Sequence, residues 1–315
     1  MQEAGMTHPA RRRAAGILFV GVAFLMVFLV TAGARAEMTG MAWLANQPDT
    51  RSVFLGGAMV SHVADASATL WNPAGLAGMH GGEGMLSHSE SIADIRREFA
   101  AVARNYGPVA LGAHFAGVWT DNLDGYDAAG NPTGTFGYYG FTAGLAGGMH
   151  VWKGVRLGAG VKLLREAIDD VTADGWAVDL GAQWQSAELP LAAGVSVLNL
   201  GPDPSFIEES FPIPTMVQAG ASYFVPFRSL SGAVLLSADV RSARDRDTEL
   251  LTGIEYEYMQ LVSLGLGYRS AADLHDLTFG FGFRRDRLRL QYAFIPGNDN
   301  LLGDSHRLGL GLKIW

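Results

Sequence analysis

The sequence predicts an all-β fold, a transmembrane antiparallel β-barrel of about fourteen strands. Three observations predict it. Apolar and polar residues alternate through most of the chain beyond residue 83, most regularly near its end. Leu277, Phe279, Phe281 and Phe283 share one parity, as do Leu288, Leu290, Tyr292 and Phe294, and then Leu308, Leu310, Leu312 and Ile314. Period two means strands with one apolar and one polar face. Second, short turns and longer loops alternate, so each rim of a closed sheet collects one kind. Third, aromatic residues bracket aliphatic strand centres, as in the two interfacial girdles of a membrane barrel.

The first 36 residues read as an export signal. Arg11, Arg12 and Arg13 form a basic start, Ala14 to Val30 is an apolar run, and Ala34-Arg35-Ala36 is a small-residue cleavage site, with the cut after Ala36. The apolar run is short for a spanning helix. No cysteine follows, so neither a lipoprotein anchor nor disulfides are expected. Removal of four basic residues and one acidic residue leaves 19 Lys and Arg against 30 Asp and Glu, a net charge of −11. That balance argues against nucleic acid as a partner. No other run of 18 apolar residues occurs, so a membrane location for the remainder requires a barrel. Only 17% of residues are charged, which is low for a soluble protein, and the 41 glycines are frequent in strand-like segments.

Residues 37–82 are rich in Ala, Gly and Met and lack sustained alternation. Strands are expected near 84–91, 95–105, 108–119, 136–150, 155–167, 175–185, 190–199, 215–225, 231–241, 248–258, 261–269, 275–284, 287–295 and 305–315. Short turns fall at Tyr106 to Pro108, Trp152 to Gly154, Glu188 to Pro190, Pro226 to Leu230, Met259-Gln260 and Arg285-Asp286. Longer loops fall at 120–135, 169–174, 200–214, 242–247, 270–274 and 296–304. A soluble Greek-key sandwich does not sort its connections in this way. In Trp176–Gln185, Trp176, Val178, Leu180, Ala182 and Trp184 share one face and Ala177, Asp179, Gly181, Gln183 and Gln185 the other. The tryptophans near both ends turn that apolar face toward lipid, the first partner expected of the chain.

The polar face is then the lumen. It carries Arg156, Lys162, Asp179, Asp239, Arg241, Glu255, Glu257, Arg269, Arg284, Arg289, Arg307 and Lys313, interleaved with glycines. Both signs are present, which fits pairs that satisfy one another in a packed lumen; a selective ion pathway is the alternative.

The stretch from Val53 to Met79 resembles the N-terminal signature of the PorV/PorQ family, which belongs with the FadL-like outer-membrane barrels. The shared core is Gly56-Gly57-Ala58, Asp65-Ala66-Ser67 and Trp71-Asn72-Pro73-Ala74-Gly75-Leu76. Ser87-His88-Ser89, Phe211 to Pro214 and Gly303 to Arg307 are similar to further pieces of such chains. The resemblance implies a fourteen-stranded barrel, residues 83–315, with residues 37–82 folded into its lumen as a plug. Read alone, Asn72-Pro73-Ala74 shows a tight turn, and the low bulk of 53–79 suits close packing. A space-filling plug and a gate are both open. One departure stands out: Trp315 shares parity with Lys313 and Gly311 rather than with Ile314 and Leu312.

No phosphate loop, zinc-protease, nucleophile-elbow or dinucleotide motif occurs, and no catalytic residue, metal ligand or cofactor is assigned. His275-Asp276 could suggest a hydrolase, but adjacent strand residues face opposite ways. Asp121, Asp124 and Asp127 could hold calcium, though not with EF-hand spacing. Two transport roles compete. A FadL-like role carries small hydrophobic molecules past the plug and calls for apolar residues lining a pocket beside it. A PorV-like role docks secreted proteins or subunits of a secretion apparatus and calls for a plugged, charge-paired lumen with apolar loops, for which Phe206, Ile207 and Phe211 are the candidates.

Overall fold

The structure, a computed structural model, describes residues 39–46, 49–91, 95–120, 123–207, 209–227, 231–244, 246–270, 277–297 and 303–314. The expected signal segment with its cut after Ala36, the pair His275-Asp276, Asp121 and the out-of-phase Trp315 lie outside these residues.

In chain order the strands are β1 (Gly82–Glu90), β2 (Arg96–Asn105), β3 (Val109–Trp119), β4 (Leu123–Tyr126), β5 (Pro132–Phe136), β6 (Tyr138–Trp152), β7 (Val155–Ile168), β8 (Val171–Gln185) and β9 (Leu191–Leu200). They continue with β10 (Ser205–Phe206), β11 (Glu209–Ser210), β12 (Met216–Phe227), β13 (Gly232–Ala243), β14 (Arg246–Tyr258), β15 (Val262–Arg269), β16 (Leu277–Arg285), β17 (Leu288–Ile295) and β18 (Ser305–Lys313). Fourteen of them form one closed antiparallel barrel, sealed where β1 pairs with β18 with Leu86 opposite Leu310. The other four make two small hairpins, β4–β5 and β10–β11, outside the barrel order.

The alternation sets which way each side chain faces. Leu277, Phe279, Phe281 and Phe283 of β16 are exposed on the outside, as are Leu308, Leu310 and Leu312 of β18. Trp176 and Leu180 of β8 are likewise exposed, while Ala177, Asp179 and Gln183 of the opposite parity are buried. A soluble sheet would bury the leucines and phenylalanines; here the polar parity is inside, the arrangement suited to lipid.

Two expected loops are corrected. β7 and β8 run on until Ile168 pairs with Val171, so 169–174 is a two-residue turn, with Asp169 left-handed at φ 55°. β13 and β14 likewise run on until Ala243 pairs with Arg246, so 242–247 narrows to 244–245. The rims still differ. One carries the connections 120–137, 201–215, 270–276 and 296–304; the other has nothing longer than 186–190.

The described residues between 39 and 81 run through the interior. At the long-loop rim the Gly40 amide donates to the Pro212 carbonyl (3.1 Å). At the short-turn rim Asn105 Nδ2 donates to the Met79 carbonyl (2.8 Å). Between them lie α1 (Thr50–Phe54), α2 (Ala68–Trp71) and 3-10 turns at Ala42–Ala45 and Pro73–Gly78. Asp49 caps α1 by accepting from the Ser52 amide (3.0 Å), and its other oxygen accepts from Trp71 Nε1 (2.6 Å). The segment has to sit within the closed sheet because its contacts lie on different sides of it. Phe54 meets β15 and β16, Asn72 meets β8, and Leu76 meets β3 and β6.

The wall glycines make that course possible. A methyl group at Gly265 or Gly280 would collide with Phe54, at Gly158 with Pro73 and Ala74, at Gly181 with Asn72, and at Gly194 with Val60 and Ser61. These strands give up side-chain packing so that a second backbone can approach. Phe54, Leu55, Met59, Trp71 and Leu76 are fully or almost fully buried in this shared core. At about 1.5–3 kcal/mol for each large apolar side chain, their burial holds the segment in place.

Candidate functional site

The candidate site is the seam between the interior segment and the wall. Its centre is the backbone around Val60. Asp239 Oδ2 on β13 accepts from the Val60 amide (2.9 Å) and from Gln218 Nε2 on β12 (2.7 Å). Gln183 Nε2 on β8 donates to the carbonyls of Val60 and Val63 (both 3.1 Å), and Gln218 Nε2 also donates to the Gly57 carbonyl (2.9 Å). Buried irregular backbone needs partners, and inward-facing amides supply them.

The motif residues gather here. Asn72 Oδ1 accepts from the Ala74 amide (3.2 Å), the turn read from the sequence. Its Nδ2 reaches the carbonyls of Val60 (2.9 Å), Ala182 (3.1 Å) and Val195 (3.3 Å), tying two parts of the segment to β8 and β9. Pro73 opens the 3-10 turn, and Ala74 and Gly75 are buried within it, with Gly75 against the Val63 carbonyl. Gly56 has φ 62° and fits where any larger residue would strike the Tyr268 backbone. Gly57 has φ 87° and lies against Leu251.

Most of the predicted lumen charges are paired. Lys162 Nζ meets Asp179 at 2.7 Å and Arg241 meets Glu249 at 2.6 Å, both pairs buried within the wall. Arg51 of the segment meets Glu255 on β14 at 2.6 Å. Arg289 on β17 meets Glu83 at 2.6 Å and Asp65 of the segment at 3.4 Å. Arg284 lies 3.8 Å from Glu257. Arg269 and Arg307 line a 50 Å³ cavity with Arg241 beside Gly56 and Trp71. The sequence reading missed the contributions of Asp49, Arg51 and Glu83, which occupy stretches without periodicity, and of Gln218, whose inward phase could have found it; it set Gln183 on the inward face without giving it a role.

Burial opposes charge on Asp65, but Arg289 and Arg51 outweigh it and hold its carboxyl below the usual range. Burial, helped by Arg51 and opposed by Asp65, pushes the His62 imidazole down to about 3. Neither ring nitrogen has a hydrogen-bond partner among the described residues.

Of the loop candidates, only Ile207 is exposed, at 82%. Phe206 and Phe211 stack on each other at 5.1 Å and close over Met41, Leu164, Ala177 and Ile213. The two half-buried phenylalanines cover the start of the interior segment. In the 123–136 hairpin Asp127 accepts from the amides of Ala129 (2.9 Å) and Asn131 (2.8 Å) and from Asn131 Nδ2 (3.0 Å), so its carboxylate closes the turn.

Three cavities matter. Near the long-loop rim, Trp43, Leu44 and Leu70 of the segment face Ala116, Val118, Leu198 and Met216 of the wall across 30 Å³, with Arg97, Thr142, Lys162 and Asn199 also in the lining. At the short-turn rim a 210 Å³ cavity is lined by Arg51, Asp65, Glu83, Glu255, Arg284 and Arg289, among others. A separate 740 Å³ cavity at the same rim lies between the segment and β2, β6, β7 and β8.

No family model and no curated protein matches the chain. Solved structures do. The Ralstonia pickettii toluene transporter TbuX aligns at a TM-score of 0.62 and 14% identity over 83% of this chain and 97% of its own. The Pseudomonas putida toluene transporter TodX aligns at 0.61 and 13% identity over 82% and 95%. A Pseudomonas aeruginosa FadL homologue aligns at 0.59 and 10% identity over 85% and 99%. The chain shares its fold with these FadL-type barrels.

Proposed function

We propose that the protein is a non-enzymatic outer-membrane barrel that carries small hydrophobic molecules past an interior plug, residues 37–82, after export and removal of residues 1–36. The observation that carries this reading is the apolar cavity where Trp43, Leu44 and Leu70 of the segment meet Leu198 and Met216 of the wall. The fold supports it, being that of proteins described as toluene transporters. The cavity's size adds a requirement. A cavity of about 150 Å³ holds benzene, and this one has 30 Å³. Passage therefore needs the segment to shift against the wall.

The test is uptake of labelled toluene by cells expressing the protein. Met216→Glu places a charge in the cavity and should abolish the protein-dependent uptake while leaving the outer-membrane amount and heat-modifiable gel mobility unchanged. Uptake equal to wild type removes the transport reading, and recovery as a soluble periplasmic protein removes the barrel in the membrane altogether. N-terminal sequencing should begin at Glu37.

A second reading, docking of exported proteins, has the filled, charge-paired lumen and exposed Ile207 in its favour. Co-purification of large secreted proteins in mild detergent distinguishes it.

A further inference from the structure

The two rims of the barrel differ in the sign of their exposed charge. Among the described residues of the short-turn rim, Arg104, Lys153, Arg285, Arg287 and Lys313 are exposed, against Glu188 and Asp286. At the long-loop rim Asp124, Asp127, Asp169, Asp170, Asp203 and Asp247 are exposed together with further carboxylates, against Arg244. Short turns face the periplasm in outer-membrane barrels, so the basic rim lies level with the headgroups of the periplasmic leaflet.

One sector of that rim is built for more than a diffuse attraction. Residues 99–119 and 143–161 form the β2–β3 and β6–β7 turns with their flanks, and they contain no Asp or Glu. Because β3 pairs with β6, the two turns stand two strand spacings apart, about 10 Å. Each turn presents a cation over an aromatic ring. The Arg104 guanidinium lies 5.1 Å from the Tyr106 ring centre, and Lys153 Nζ lies 5.0 Å from that of Trp152, both within cation–π range. The rings face outward, Tyr106 being 60% and Trp152 56% exposed. Amphipathic rings of this kind settle at the headgroup level. Long basic side chains hold their charge at the same depth while their stems lie along apolar surface. Between the two turns the outer wall offers Val109, Leu111, Met149 and Val151, all exposed. An acyl chain can lie along these four, with its headgroup between the two cations.

We propose that this face of the short-turn rim is a binding site for an anionic phospholipid of the periplasmic leaflet, its headgroup held by Arg104 and Lys153. The positive sign of the face selects a net negative headgroup over a zwitterionic one. The site lies on the outside of the wall, so its occupation does not depend on passage through the barrel.

The test presents purified full-length protein, delipidated in a nonionic detergent, with equal amounts of phosphatidylglycerol and phosphatidylcholine, and reads the retained lipid by native mass spectrometry. Wild type should retain the anionic lipid at least about tenfold over the zwitterionic one, given roughly fivefold for each basic residue at an anionic surface. Arg104→Gln and Lys153→Gln should each lower that ratio about fivefold while keeping heat-modifiable mobility. Arg287→Gln, on the β16–β17 turn, should leave the ratio near the wild-type value. Equal retention of the two lipids by wild type overturns the proposal, and so does a ratio unchanged in both variants. A loss as large in Arg287→Gln overturns the assignment to this face. Glycerol 3-phosphate that displaces the lipid at equal concentration overturns a lipid as the occupant.

Discussion

His62 links the protein's stability to pH. Its imidazole is buried beside Arg51 and held down to about 3, whereas an unfolded histidine titrates near 6.5. The folded protein keeps it neutral. Below about pH 6.5 the unfolded chain takes up a proton that the folded chain refuses, so stability falls as pH drops from there toward 3. Asp49 works in the other direction, because burial raises its carboxyl despite the bonds from Ser52 and Trp71. Urea unfolding midpoints should therefore fall between pH 7 and 5. His62→Gln keeps a polar side chain of similar size without the titration and should lessen that slope; an unchanged slope would assign the dependence to another group. The sequence offered no handle on His62. Period two tells which way a strand residue faces, but 53–79 has no period, and the burial of any one residue there follows from the wall around it.

At the scale of elements, the fit between segment and wall rests on side chains that are absent. Gly158 and Gly194 leave room for Pro73, Ala74, Val60 and Ser61. Gly194→Leu should push the segment off β9, seen as protease cleavage within 55–65 in otherwise heat-modifiable protein; Gly137→Ala, with open space around it and no left-handed φ, serves as the control. Asn72→Ala should loosen the same region by about 1–3 kcal/mol, because it strands buried carbonyls. The fourteen barrel strands were legible because lipid imposes strict alternation. The turns at 169–170 and 244–245 were not. In β7 and β8 the outer parity there carries the charged Arg165 and Asp174 in place of large apolar residues. Arg165 and Asp174 pair at 2.6 Å on the outer surface, so their charges mimic a loop in sequence while the ladder continues.

The whole molecule holds two kinds of buried ion pair, and they should fail differently. Lys162–Asp179 and Arg241–Glu249 lie within the wall, between adjacent strands. Arg51–Glu255 and Asp65–Arg289 cross from the segment to the wall. Removing one partner of a buried pair costs about 3–5 kcal/mol, because the other charge is left unpaired in a poorly solvating site. Where that cost falls depends on what can relax. For Asp179→Asn the partner Lys162 sits on β7 itself and cannot leave without breaking the ladder, so the barrel should lose stability in urea. For Glu255→Gln the partner Arg51 sits on the segment, which is held by burial and side-chain bonds rather than by a ladder, and the segment itself is the part able to move. In planar bilayers wild-type protein should then conduct little, Asp179→Asn should conduct no more than wild type, and Glu255→Gln should show frequent openings. Openings as frequent in Asp179→Asn would mean that segment and wall move as one body, and equal silence in both would mean that burial of Phe54, Trp71 and Leu76 holds the segment without help from its charges.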